Sequence, residues 1–170
     1  MFLSGACADN ILKTVLPDVT LSSMGLMDLN NGILLLIDRI TNNIAPLVEM
    51  KAEEVELALH HFLPENLIEA AKTAANAAVQ KFTSSGAKIE KCEEKDFPLD
   101  DLLSRLREKY HSVRINENTV VYMASCIETA VAELLKACGE KAMTQNRKQI
   151  SRMDVKWVLA NNFEIAPFFT

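Results

Sequence analysis

The chain has 170 residues, 49% of them hydrophobic and 24% charged, a composition that can bury a real core and excludes disordered and collagen-like classes. Its 18 Lys and Arg stand against 23 Asp and Glu, and the formal net charge of -5 excludes a generally basic nucleic-acid coat while leaving room for a local basic edge. The longest uncharged apolar run, Ile33 to Ile37, stops at Asp38, far short of the ~20 residues a membrane helix needs. Met1-Phe2-Leu3-Ser4 shows no signal-peptide pattern, so a soluble intracellular protein without membrane contact is expected.

Apolar spacing is helical almost throughout, which predicts an all-α fold. A short helix carries Ile11, Leu12, Val15 and Leu16 and closes at Leu16-Pro17-Asp18. From Ser22 or Ser23 as N-cap, Leu26, Leu29, Ile33, Leu36, Ile37, Ile40 and Ile44 form one long stripe, which Pro46 should end or kink. A second short helix holds Val55, Ala58, Leu59 and Phe62. Pro64 fits the first turn of a further helix, whose face continues through Leu67, Ala71, Ala74, Ala78 and Phe82 until Ser84-Ser85-Gly86. Residues 87–96 are charged and lack an apolar period, as a linker or loosely held surface segment would.

The rhythm then returns. Pro98 opens a short helix with Leu99, Leu102, Leu103 and Leu106; Asn116 or Asn118 caps a long one with Val120, Ala124, Ile127, Val131, Leu134, Cys138 and Ala142. Ser151-Arg152-Met153-Asp154 resembles a capping box at the start of a last short helix with Val155, Val158 and Leu159. Short, long, short thus occurs twice. Each long helix offers more apolar surface than its own short partners can cover, so the two units should clasp, long helix across long helix. The loop before one long helix would then lie beside the loop after the other, with helix N-termini facing outward as phosphate-binding corners.

Signs of catalysis are few. Five scattered glycines make no nucleotide cradle, and no Gly-x-Ser-x-Gly turn presents a serine. His60 and His61 sit about 100° apart on a helix and cannot converge on one metal. Cys7, Cys92, Cys126 and Cys138 stand far apart, as reduced thiols do, and neither a metal nor another cofactor is expected. Trp157 is expected to pack on the last helix, and Met24, Met27, Met123, Met143 and Met153 to fill the core or its margin.

Ile11-Leu12-Lys13-Thr14-Val15-Leu16-Pro17-Asp18, Leu21-Ser22-Ser23 and Asp38-Arg39-Ile40 resemble the first and central helices of core histone type 2B. Phe62-Leu63-Pro64-Glu65-Asn66-Leu67 and Ala78-Val79-Gln80-Lys81-Phe82-Thr83-Ser84-Ser85 are similar to the extra C-terminal helix of that type. From Phe97 to about Asn162 the chain resembles type 2A, through Arg105-Leu106-Arg107, Arg114-Ile115, Val121-Tyr122-Met123-Ala124, Ala132-Glu133-Leu134-Leu135 and Gly139. Two core histones fused in this order resemble the histone doublets of Marseillevirus-like giant viruses, here in a short form without long basic tails.

The resemblance implies two tandem histone folds forming an intramolecular handshake pseudodimer: residues 1–86 as the type 2B-like fold with its C-terminal helix, 87–96 as linker, and 97–170 as the type 2A-like fold. It implies a structural, non-enzymatic role in packaging viral DNA. The partners would be double-stranded DNA, type 3 and 4 histones (these too as a viral doublet) and a second copy of the chain, in the virion and in a viral factory or host nucleus. Arg114 matches the arginine of the family's first DNA-binding loop, Arg147 and Lys148 fall in the second, and Arg105 and Arg107 lie on the short helix near DNA. Ser22, Ser23 and Arg152 at the helix starts complete the expected DNA-facing set, which would reach phosphate or an inward-facing minor groove. Arg39, inside a long apolar helix, is expected to be structural. Glu128, Glu133 and Glu164 match the family's acidic surface patch, whereas Lys136, Asn162 and Phe163 stand where further acids are expected.

The segment from Ile44 to Val55 is shorter than the type 2B pattern and has lost its basic loop. Residues 1–86 carry 5 basic and 10 acidic side chains and residues 87–170 carry 13 of each, so DNA affinity should lean toward the second half. The close at Phe168-Phe169-Thr170 lacks the extension that docks type 2A histones, which implies looser assembly. The alternative reading is a histone-fold pseudodimer serving as a protein-interaction module without DNA wrapping.

Overall fold

The computed structural model describes residues 1–44 and 48–170. In chain order the first half comprises α1 (Gly5–Val15), β1 (Thr20–Leu21), α2 (Ser23–Asn42), β2 (Glu49–Met50), α3 (Ala52–Leu59) and α4 (Glu65–Ser85). The second comprises α5 (Leu99–Lys109), β3 (Arg114–Ile115), α6 (Glu117–Thr144), β4 (Gln149–Ile150), α7 (Arg152–Asn161) and α8 (Ala166–Phe169). Among the described residues no helix is long and apolar enough to cross a membrane.

Local chemistry sets the helix starts. Ser4, Ser22 and Asn116 accept backbone N–H groups of Cys7, Gly25 and Asn118, and Ser151 with Asp154 closes a reciprocal capping box at α7. Gly86 ends α4 in the left-handed region at φ 64°, where a residue without Cβ is unstrained. Pro46, the expected stop of the first long helix, lies outside the described residues; α2 itself ends at Asn42, and the Asn43 N–H bonds back to Arg39 and Ile40.

The 28-residue α6 is the axis of the molecule. Its buried stripe of Val120, Ala124, Ile127, Val131, Leu134, Cys138 and Ala142 is covered by α1, α2, α3 and α4 from the first half and by α5 and α7 from its own. The expected clasp is present, and four short strands fasten it. β1 pairs in parallel with β4 (Thr20 with Gln149, Leu21 with Ile150), and β2 with β3 (Glu49 with Arg114, Met50 with Ile115). Backbone bonds from Thr20 to Lys148 (2.9 Å), from Ser22 to Ile150 (2.9 Å) and from Arg114 to Val48 (2.8 Å) extend the pairings. Buried Thr119 adds a side-chain bond to the Met50 carbonyl at 3.0 Å.

Several packing details differ from the sequence expectation. The buried face of α4 is Ile68, Ala71 and Ala75, whereas Leu67 and Ala78 are half-buried and Ala74 is exposed, because α4 turns Ile68 onto α6. Of the five methionines expected in or near the core only Met123 is buried; Met24, Met27, Met143 and Met153 are exposed. Residues 87–96 form no helix or strand, yet they are tied down: Ser4 donates to the Glu94 carbonyl, Asn10 to the Lys95 carbonyl, and Phe97 meets Phe2 edge-on at 5.7 Å.

α8 has no counterpart in the sequence reading. Phe168 and Phe169 are buried, with Phe169 so close to Gly32 that a Cβ there would sit 3.3 Å from the ring. Arg39 donates to the Pro167 carbonyl at 2.7 Å and to that of Thr170, which gives this arginine the structural role expected of it. At the opposite end of the chain, buried Asn30 accepts from the Leu3 N–H at 2.6 Å and donates to the Leu3 carbonyl at 3.0 Å. Asn30→Ala leaves both backbone groups buried without a partner and is expected to cost about 2–3 kcal/mol in urea unfolding; a loss below ~0.5 kcal/mol would show that water replaces the amide.

Candidate nucleic-acid interface

The two strand pairs define two corners. The β1·β4 corner gathers Ser22, Ser23, Arg147, Lys148 and Arg152; the β2·β3 corner holds Arg114 beside Glu49, with Lys51 and Glu117 next in the chain. Arg105 and Arg107 lie on α5, which leads into the second corner.

At the first corner most polar groups already have partners. Arg147 makes a two-pronged pair with Asp154 (Nη1 to Oδ2 2.8 Å, Nη2 to Oδ1 2.7 Å) and also donates to the Gln145 side chain and the Gln149 carbonyl. Its planar fork therefore braces the loop before α7. Hydrogen bonds from Arg147, assisted by those from Ser151, hold the Asp154 carboxyl down at about 2 against the opposing effect of burial. Arg152 reaches across the halves to Asp28 at 3.0 Å. The Ser22 hydroxyl is occupied by the Gly25 N–H, while Ser23 and Lys148 are exposed.

On α5, Arg105 pairs with Asp101 at 3.2 Å and lies over the Phe2 ring at 5.5 Å, whereas Arg107 is exposed. Arg114 is exposed at the second corner, with Glu49 directly opposite in register. Among the described residues Arg107, Arg114 and Lys148 make no ion pair, so the expected set divides into these three cations and the three engaged arginines Arg105, Arg147 and Arg152. Asp101 could have been read from its i, i+4 spacing to Arg105. Asp28 had no local signal, since its partner is set by the clasp; Asp154 was marked by its capping box, while its second partner, Arg147, stands seven residues upstream in the loop before α7, a spacing with no periodic signal.

The three acids matched to a surface patch differ in setting. Glu133 is half-buried on α6, and Glu164 is exposed in the turn after α7, its N–H held by Asn162. Glu128 borders a groove formed by Lys81, Phe97 and Leu99, where desolvation raises its carboxyl above the usual range. Burial pushes the thiols of Cys7, Cys126 and Cys138 up to about 12, which leaves them protonated and unreactive. Among the described residues no group of three or more His, Cys, Asp or Glu is placed to hold a metal ion.

Two short-long-short units joined head to tail through paired loops are two histone folds clasped within one chain. The chain is 34% identical over 64 residues to a type 2A-like histone (like 1) of Mus musculus, covering 38% of this chain and 61% of that protein. It is 32% identical over 76 residues to the type 2A histone Bbd type 1 of Mus musculus, covering 45% of this chain and 68% of that protein. The chain therefore spans less than two thirds of the first of these relatives and just over two thirds of the second. No protein-family model matches it. On fold and similarity together, the chain belongs to the histone family.

The Arg147–Asp154 brace makes stability depend on acid. Because the folded Asp154 carboxyl titrates near 2 rather than its ordinary 3.8, its contribution is complete above 3.8 and is lost as pH falls through about 2. Asp154→Asn is expected to cost about 1–2 kcal/mol at pH 7, a figure lowered for the partial exposure of Arg147. The unfolding midpoints of the two proteins should converge toward pH 2; a constant gap would assign the loss to packing.

Proposed function

We propose that this chain is a structural, non-catalytic histone doublet that packages DNA by sequence-independent contacts, of the kind resembled by the doublets of Marseillevirus-like giant viruses. The observation that carries the reading is the fastening of each long helix's leading loop to the other's trailing loop, which brings exposed Lys148 to the start of α2, while exposed Arg114 stands just ahead of the start of α6. Helix N-termini with an adjacent cation suit backbone phosphate and carry no information about base identity.

In this reading Arg107, Arg114 and Lys148 neutralise phosphate directly. Arg147, Arg152, Arg105 and Ser22 hold the corners in shape, and Ser23 faces the duplex. Type 3 and 4 histones, as separate chains or as another doublet, would supply the tetramer that two copies of this chain flank. The setting would be a virion, and before that a viral factory or host nucleus. Glu128, Glu133 and Glu164 would form a reduced acidic patch. The two halves described as 1–86 and 97–170, with 87–96 between them, would act as one histone heterodimer with fixed stoichiometry.

The proposal is tested by nuclease protection on DNA reconstituted with this chain, with and without type 3 and 4 histones. A discrete fragment that needs the partner, well short of the ~147 base pairs of a full nucleosome, is the expected result. Absence of protection in both arms would favour the protein-interaction module. Reversing Arg107, Arg114 and Lys148 to Glu together should weaken duplex binding by about tenfold or more and flatten the salt slope by about 0.9 for each phosphate no longer neutralised. Reversing Lys13, which lies on α1 outside both corners, should change it less than about threefold. Equal effects would remove the assignment of these three cations.

A further inference from the structure

The stretch from Lys141 to Trp157 contains five Lys or Arg and one acid, Asp154, in a chain whose net charge is -5. That single acid is turned inward onto Arg147. The same stretch folds into the end of α6, the β4 loop and the start of α7, which enclose an open groove of about 520 Å³. Its floor and rim include Lys141, Gln145, Met153, Lys156, Trp157 and Ala160. Trp157, expected to pack on the last helix, is instead 48% exposed; Met153 is 70% exposed, and the Lys141 ammonium lies 4.1 Å from the centre of the indole ring. Among the described residues neither Lys141 nor Lys156 has a carboxylate partner.

We propose that this groove is a docking site for an acidic peptide segment that carries one apolar anchor residue. The chemistry has two parts that occur together here. Exposed tryptophan and methionine lining one groove gain by burial against an apolar side chain laid into it. Ammonium groups on both walls select carboxylates flanking that anchor and speed their approach. Phosphate alone would satisfy the cations and leave the indole and thioether in water, so a duplex fits the groove less well than a peptide. The site lies on the outer surface of α7 and does not depend on the packaging role proposed above.

Trp157 is the chain's single tryptophan, so its fluorescence reports on the groove directly in the full-length protein. The probe is a short synthetic Glu-rich peptide with one central Leu. Binding is expected to blue-shift the emission and protect the indole from acrylamide. Replacing the Leu by Ser should weaken binding about tenfold, and the double variant Lys141→Glu, Lys156→Glu about tenfold or more. Met153→Ser, which keeps the basic rim, should weaken it about fivefold, with an unchanged unfolding midpoint showing that the fold is intact. The proposal is overturned if the peptide leaves the emission unmoved or if the Leu and Ser peptides bind alike, which would reduce the groove to a charge effect. It is equally overturned if duplex DNA protects the indole as well as the peptide does, or if the protein alone shows the shift as it self-associates in sedimentation.

Discussion

Neither long helix can bury its apolar stripe within its own half. α6 turns a continuous seam of valine, leucine, isoleucine and small residues through its full length, and α5 and α7 cover only part of it. The remainder is closed by α1, α2, α3 and α4 of the other half. Since burial of apolar area is the main favourable contribution to folding, this shortage of local cover obliges the halves to fold as one unit. The head-to-tail pairing of loops, the outward helix starts and the positions of the corner cations are all consequences of that obligation. Two-residue strand pairs would be too short to persist alone, and they persist because the crossing helices bring the loops together.

The clasp also decides which charges remain available. The rotation that brings α7 against α2 gives Arg152 its partner in Asp28, and the loop that feeds α7 folds Arg147 onto Asp154. Cations that are equal in a count of sequence become unequal in the fold: some stiffen the corners, and others stay exposed to solvent. At the second corner Glu49 faces Arg114 across the strand pair, so the field there is weaker than the arginine alone would create. At the β1·β4 corner Arg147 and Arg152 are paired with Asp154 and Asp28, so the exposed charge there comes from Lys148.

What could be read in the sequence was what depends on neighbours a few residues away. Ser22, Asn116 and the Ser151 to Asp154 box mark helix starts because caps are local hydrogen bonds, and the stripe of α6 is plain because burial on all sides of a crossing enforces its period. The loop pairings followed from the need of two long helices for shared cover. Features that depend on distant partners were silent. The anchoring face of α4 was displaced by one residue because alanine-rich turns offer several equivalent stripes and only Ile68 decides among them. The methionines, assigned to the core by their chemistry, are largely exposed because the positions at 24, 27, 143 and 153 lie on helix faces turned away from the clasp. The use of Arg147 as a brace depends on how the loop turns between it and Asp154, and the return of α8 onto Gly32 and Arg39 on long-range partners; no periodicity encodes either.

The ties at Asn30 and Arg39 have a mechanical consequence. Leu3 and the Pro167 to Thr170 segment are both moored to α2, at points nine residues apart and so about 14 Å along one helical axis. α2 is thus the common post for both outer segments: the one before α1 is held at Asn30 and also by the second half through the Phe2–Phe97 contact, and α8 is held at Arg39 and Gly32. Slackening that stretch of α2 would therefore loosen α8 and the segment before α1 together, although the two stand far apart in the chain.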